Sequence, residues 1–278
     1  MLIAAALRAI LNKSVELSES MAGHSKWANI KRQKARVDAA KGKVFTKISR
    51  EIIVAARTGG ADPAGNFQLR TAIDKAKAAG IPNDNIDRAI AKGAGTLDAG
   101  EAALEAIRYE GYGVAGVAVL IEGLTDNRNR TAADLRSAFS KNGGNLGETG
   151  CVSWMFEQKG VVTLRGPIDE DKLLEASVEG EAESYELTLV DETETEGAEV
   201  FTEVSHLEQL NQVLQDQGFQ VIQAELRWIA NNTVEVDDVE KARSILKLMD
   251  ALDDLDDVQN VTANFEMSEN CYQALEAE

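Results

Sequence analysis

The stretch whose reading decides the organisation of the chain is Gly23–Arg57, GHSKWANIKRQKARVDAAKGKVFTKISREIIVAAR. It holds ten lysines and arginines (26, 31, 32, 34, 36, 41, 43, 47, 50 and 57) against two acids, Asp38 and Glu51. The 278-residue chain as a whole carries a formal charge of −18. A basic segment this dense in an acidic protein points to a polyanion as its partner. The plain alternative is a solvated helix face. From Val44 onward Phe45, Ile48, Ile52, Ala55 and Ala56 recur at helical spacing. Lys43, Lys47, Arg50 and Arg57 fall on the opposite side of that helix, as a basic stripe.

Outward from this helix, Thr58-Gly59-Gly60 and Asp62-Pro63 stop it and turn the chain. Leu69, Ala72, Ile73 and Ala76 give a core face to a second helix over 67–79, closed by Gly80 and Pro82. Asp84 is placed to cap a third, short helix carrying Ile86 and Ile90. Residues 23–93 therefore read as a small all-helical module, followed by the linker Gly93-Ala94-Gly95-Thr96.

After residue 100 the period changes from helix to strand. Residues 102–109 and 117–121 read as a hairpin, and a helix with Ala132, Leu135, Ala138 and Phe139 inward follows. Cys151–Phe156 reads as a further strand. The next seventy or so residues alternate as strand 161–164, helix 169–178, strands 186–190 and 200–204, helix 207–217 and strand 219–225. That order, βαββαβ, is the split-βαβ sandwich. A helix over 239–252 and a strand over 258–265 complete the chain. The fold expected is α+β with three domains: a helical basic domain (21–97), a discontinuous α/β domain (98–158 with 227–278), and a ferredoxin-like domain (159–226) inserted in it.

Charge follows the same division. Residues 21–100 carry 15 basic and 7 acidic side chains, whereas residues 101–278 carry 12 basic and 38 acidic ones. One end is built to approach phosphate and the rest would be repelled by it. Two distant cysteines, Cys151 and Cys271, form no legible disulfide framework and fit a reducing, cytoplasmic compartment. With two histidines, His24 and His206, no cluster has zinc spacing, so no metal is expected. No apolar run reaches the ~18 residues of a membrane span. The opening MLIAAALRAIL lacks a basic flank and runs into Glu16 and Glu19, so residues 1–20 read as a loose leader rather than a signal peptide.

Chemistry is hard to find. Gly111-Tyr112-Gly113-Val114-Ala115-Gly116 fits G-x-G-x-x-G, but a strand rather than a helix follows it, so it reads as a hairpin turn and not as a dinucleotide site. No phosphate-binding loop or nucleophile elbow is present, and neither enzyme activity nor a cofactor nor a small-molecule substrate is expected. Thr125-Asp126-Asn127-Arg128-Asn129-Arg130-Thr131 offers Thr125, Asp126 or Asn127 as a helix cap. Capping does not ask for two arginines in a first turn, where the helix dipole disfavours cations, so Arg128 and Arg130 either face an anion or pair with local acids. Asn142–Gly150 is a Gly/Asn-rich loop able to conform to a partner. Trp27 either stacks on a base or anchors the N-terminal arm in a core.

These residues resemble the YebC/PmpR family. The similarity is carried by Met21–Lys31 (MAGHSKWANIK), Gly42–Lys47 (GKVFTK), Ala72–Ala76 (AIDKA), Leu124–Thr131 (LTDNRNRT) and Gly143–Gly147 (GGNLG), and spans residues 21–265. Ala40, Phe67 and the pair Val114-Ala115 depart from the family pattern, where a basic residue, a proline and a Pro-Gly pair are usual. The resemblance implies a three-domain, non-enzymatic, cytoplasmic protein beginning at the position of Met21. It also implies nucleic-acid binding through Lys26, Lys31, Arg32, Lys34, Lys43, Lys47 and Arg50, with Arg128 and Arg130 as further candidates. Members are described as DNA-binding transcriptional regulators, and relatives, including the mitochondrial translational activator of cytochrome oxidase, act at the ribosome. Three readings therefore stand: a transcriptional regulator on duplex DNA, a ribosome-associated translation factor on ribosomal RNA, and a scaffold whose acidic surface binds a basic protein.

Overall fold

Helix α1, Ala39–Gly59, is the first element of a computed structural model that describes residues 39–96, 104–190 and 195–276. The leader 1–20, Trp27 and the candidate cations Lys26, Lys31, Arg32 and Lys34 lie outside the described residues. Helices α2 (Phe67–Ala78) and α3 (Asn83–Gly93) pack on α1 through Ile48, Ile52, Ile53, Leu69, Ile73, Ala76 and Ile86. Burying each of the larger of these aliphatic side chains contributes about 1.5–3 kcal/mol. Asn66 ties the first two helices together. Its amide donates to the carbonyls of Ala55 and Gly60, both at 2.8 Å, while its oxygen caps α2 by accepting from Leu69 N at 3.1 Å. Gly93 lets α3 approach α1, because a Cβ there would sit 2.4 Å from the Ile53 carbonyl oxygen. The third helix is not capped by Asp84. It begins at Asn83, with Pro82 (φ −58°, ψ 140°) in the cap position and no side-chain cap, and Asp84 lies in the first turn instead.

The elements that follow are β1 (Glu105–Tyr112), β2 (Ala118–Thr125), α4 (Arg128–Lys141), β3 (Asn145–Leu146), β4 (Phe156–Arg165), α5 (Glu170–Glu179), β5 (Ala182–Leu189), β6 (Glu196–Thr202), α6 (Leu207–Asp216), β7 (Gln220–Ala230), β8 (Val234–Val236), α7 (Val239–Asp253), β9 (Val258–Ala263), β10 (Phe265–Met267) and α8 (Glu269–Glu276). The chain forms two compact units, one of residues Phe156–Asn232 and one that joins residues 39–155 to residues 233–276.

In the second of these units the sheet runs β3-β1-β2-β9, antiparallel throughout. Strands β1 and β2 form the hairpin expected from the glycine-rich segment, paired from Glu105↔Thr125 to Tyr112↔Ala118. Its tip places Ala115 at φ 62° and Gly116 at φ 77°. Alternate residues of β2, Val119 and Ile121, share a core with Leu135 and Phe139 of α4 and with Ile245, Leu248 and Met249 of α7. The expected strand over 258–265 is broken in two at Asn264. That residue's side chain accepts from Ala118 N at 2.7 Å and its carbonyl accepts from Val234 N at 2.7 Å, which turns β10 onto β8 in a parallel pair.

Cys151–Phe156 is not a strand. The segment folds back on the buried carboxylate of Glu110, which accepts from Gly150 N at 2.8 Å, Val152 N at 2.7 Å and Ser153 N at 2.9 Å. Three amides committed to one side chain cannot also pair in a ladder. Ser153–Met155 forms a single 3-10 turn, and the strand starts only at Phe156.

The unit Phe156–Asn232 orders its strands β5-β6-β4-β7, all antiparallel, with α5 and α6 as the two crossover helices. Placing the first and third strands at the centre of βαββαβ is the ferredoxin-like arrangement. Pairing of β4 with β7 begins at Phe156↔Ala230, so the unit extends beyond residues 159 and 226 at both ends.

Candidate nucleic-acid interface

The stripe on α1 follows from helix geometry. Lys43, Lys47 and Arg50 stand at i, i+4 and i+7, on one face. The structure gives that face a counter-charge more than two hundred residues away, the run Asp253-Asp254-Leu255-Asp256-Asp257 that ends α7 and leads into β9. Lys43 Nζ lies 3.1 Å from Asp254 Oδ1 and donates to the Asp254 carbonyl at 3.2 Å. Lys47 Nζ lies 3.1 Å from Asp253 Oδ1 and donates to the Asp253 carbonyl at 2.7 Å. Arg50 bonds the Asp257 carboxylate at 2.8 Å, the Leu124 carbonyl at 3.2 Å and the Asp256 carbonyl.

The acids of the three pairs are graded in exposure, and two of the three cations are largely buried. Side-chain exposure is 48% and 73% for Lys43 and Asp254, 15% and 22% for Lys47 and Asp253, and 19% and 8% for Arg50 and Asp257. An exposed pair of the first kind contributes well under about 1 kcal/mol, whereas breaking a buried one by removing a single partner costs about 3–5 kcal/mol.

Asp257 is the junction of the network. Besides Arg50 it takes Arg130 Nη2 at 2.8 Å, Thr131 Oγ1 at 2.7 Å and Thr125 Oγ1 at 3.2 Å on Oδ2. Burial works against its carboxylate, but the hydrogen bonds from Arg130, Thr131 and Arg50 outweigh it and hold the carboxyl below the usual Asp range. Helix α1, the start of α4 and the end of β2 thus meet on one side chain.

Of the three caps that the sequence allowed for α4, the structure uses Asn127, which accepts from Arg130 N at 3.1 Å. The two arginines of the first turn pair with acids of the same chain. Arg128 Nε lies 2.7 Å from Glu105 Oε2, and Arg130 Nη2 lies 2.7 Å from Asp126 and 2.8 Å from Asp257. Tyr109 fixes the same turn by donating its hydroxyl to the Arg128 carbonyl at 3.0 Å.

The residues that sequence reasoning missed are therefore Asp253, Asp254 and Asp257. Four acids in five positions were visible as a charge run, but nothing local placed them against α1. The end of the Gly/Asn loop is held by Glu110 through Gly150 N, and the 3-10 turn after it carries an exposed Trp154 whose indole N–H donates to the Cys151 carbonyl at 3.1 Å. Among the described residues no group of three or more His, Cys, Asp or Glu could hold a metal ion, and no helix is long and apolar enough to cross a membrane.

Comparison with known proteins accounts for most of the chain. Residues 25–96 match the family model of the TACO1/YebC protein N-terminal domain, and residues 104–265 match that of the TACO1/YebC second and third domain. A protein of Trichormus variabilis named probable transcriptional regulatory protein is 74% identical over 250 residues, covering 90% of this chain and 97% of its own. One of the same name from Trichodesmium erythraeum is 71% identical over 255 residues, covering 92% of this chain and 99% of its own. The crystal structure of a conserved hypothetical protein from Aquifex aeolicus superposes with a TM-score of 0.75 at 44% identity, covering 84% of this chain and 94% of that one. The two family models together match residues 25–96 and 104–265, and the chain belongs to the TACO1/YebC family.

Proposed function

We propose that the protein is a non-enzymatic, cytoplasmic regulator of gene expression that binds duplex DNA through its N-terminal helical domain. The observation that carries this reading is the charge of residues 23–57, ten basic side chains against two acids in a chain of net charge −18. The name probable transcriptional regulatory protein, borne by relatives more than 70% identical, supports it. Lys26, Lys31, Arg32 and Lys34 are assigned to phosphate contact. Lys43, Lys47 and Arg50 of α1 are assigned with them, and Arg128 and Arg130 are further candidates. Contacts of this kind give affinity without sequence information, so the stripe defines a polyanion and not an operator.

The test is the salt dependence of binding by the full chain to a labelled DNA duplex and, in parallel, to ribosomal RNA. Replacing Lys26, Lys31, Arg32 and Lys34 with alanine should weaken duplex binding across all sequences. It should also lower the slope of log K on log salt by about 0.9 for each phosphate no longer neutralised. Binding to ribosomal RNA alone would move the protein to the translation machinery. An unchanged slope, or no binding to either at low salt, would refute the reading.

A further inference from the structure

We infer that the acidic run Asp253–Asp257 is a built-in competitor for the stripe on α1, occupying Lys43 and Lys47 until nucleic-acid phosphate displaces it. The inference rests on the proposal that this stripe binds nucleic acid, and adds how that binding is restrained. Three of the four cations of the stripe are each met by an anionic oxygen and a carbonyl oxygen of the run: Lys43 by both acceptors of Asp254, Lys47 by both of Asp253, Arg50 by the Asp257 carboxylate and the Asp256 carbonyl, while Arg57 donates to the Leu104 carbonyl instead. That is the kind of oxygen-rich, negative surface a phosphodiester presents to lysine and arginine. A free stripe and an occupied one differ in the charge they show to an incoming phosphate, because four carboxylates within five residues add repulsion to occupancy.

The grading of the pairs sets which end opens. Asp257 is fixed by Arg130, Thr125 and Thr131 as well as by Arg50, so it stays in place as the anchored end. Lys43 and Asp254 lie largely in solvent, where water and salt already screen the pair, and their pairing is exchanged at little cost. Lys47 and Asp253 follow on the next turn. Displacement therefore runs from Lys43 toward Arg50, with the last pair acting as the hinge that keeps α1 attached.

The experiment compares the full chain with the isosteric double variant Asp253→Asn/Asp254→Asn, using a fluorescein-labelled random-sequence DNA duplex and a salt series. A control variant, Asp134→Asn/Glu148→Gln, removes the same charge from two exposed positions of α4 and the following loop. The double variant should bind about tenfold tighter at low salt and steepen the slope by about 1–2, as expected for two more neutralised phosphates. The control should change neither by more than a small fraction of that. Equal binding by the double variant and the parent, with the parent bound, overturns the competitor while leaving nucleic-acid binding intact. Equal tightening by the control assigns the effect to net charge and also overturns it. Binding by the double variant but not by the parent supports it in its strongest form. If neither binds at low salt, the nucleic-acid reading falls and takes the inference with it.

Discussion

Glu110→Gln tests the reason that residues 150–153 leave the sheet. The native carboxylate is buried and divides its oxygens between three amides, Oε1 taking Gly150 N and Oε2 taking Val152 N and Ser153 N. Glutamine keeps the shape but turns one oxygen into a donor. The best orientation leaves the amide oxygen on Val152 and Ser153, and sets an N–H against the N–H of Gly150. One charge-assisted bond of about 1.5–3 kcal/mol disappears, the other two weaken, and an amide is left without an acceptor. The sum expected is a destabilisation of about 2–4 kcal/mol, a large part of the stability of a typical domain. Urea denaturation at neutral pH measures the change, and amide hydrogen exchange at Gly150, Val152 and Ser153 locates it.

The effect of pH on this variant has a fixed sign. Burial raises the Glu110 carboxyl, but the amides of Val152, Gly150 and Ser153 outweigh it and hold the pKa below its usual 4.5. A group depressed in the folded state contributes stability above its unfolded pKa and loses it as pH falls through the folded one. The gap between parent and variant should therefore close below about pH 4.5. A variant within about 0.5 kcal/mol of the parent at pH 7, the scatter of a neutral surface change, with the three amides still protected, would refute the account.

Three further outcomes follow from other parts of the molecule. Ala115→Gly should stabilise the hairpin by about 0.5–1 kcal/mol in thermal melting, because Ala115 is exposed and held at φ 62°, a region that costs a side chain but not glycine; a lower melting temperature would count against it. Glu186 faces Glu199 across β5 and β6, and burial first, then the Glu199 charge, pushes its carboxyl up to about 7. The folded state then holds the extra proton, so this group's contribution falls as pH rises from about 4.5 to 7, and Glu186→Gln should gain about 1–2 kcal/mol at pH 8 after allowance for solvent screening. Equal stability of parent and Glu186→Gln across pH 5–8, read by urea titration, would contradict this. Asn66→Ala removes a helix cap and two carbonyl partners at once, and should cost the helical module about 2–3 kcal/mol by thermal unfolding followed at 222 nm; a change under about 0.5 kcal/mol would refute the linking role.

Much of the fold is legible because it is written in local periods. The 3.6-residue rhythm of Ile48, Ile52, Ala55 and Ala56 defines the buried side of α1, and the order of strands and helices after residue 160 defines the ferredoxin-like unit. The glycine-rich hexad reads as a turn because a strand follows it, and its glycines do close a hairpin. Local reading fails where one long-range partner overrides local preference. Cys151–Phe156 has a strand-like composition, yet Glu110 takes its amides. A single side chain, Asn264, divides a run that periodicity joins.

The candidate interface divides in the same way. The sequence by itself determined that positive charge is gathered in residues 23–57, that Lys43, Lys47 and Arg50 share a face of a helix, and that the chain beyond residue 100 is acidic. Only the tertiary structure decided what stands opposite that face. Helical phase depends on neighbours a few residues away, so composition and spacing reveal it. The counter-ions of the stripe are brought in by chain closure across 206 to 211 residues, and no local pattern encodes which acids will arrive. A stripe that reads as free in sequence is, in the folded chain, already partnered by Asp253, Asp254 and Asp257.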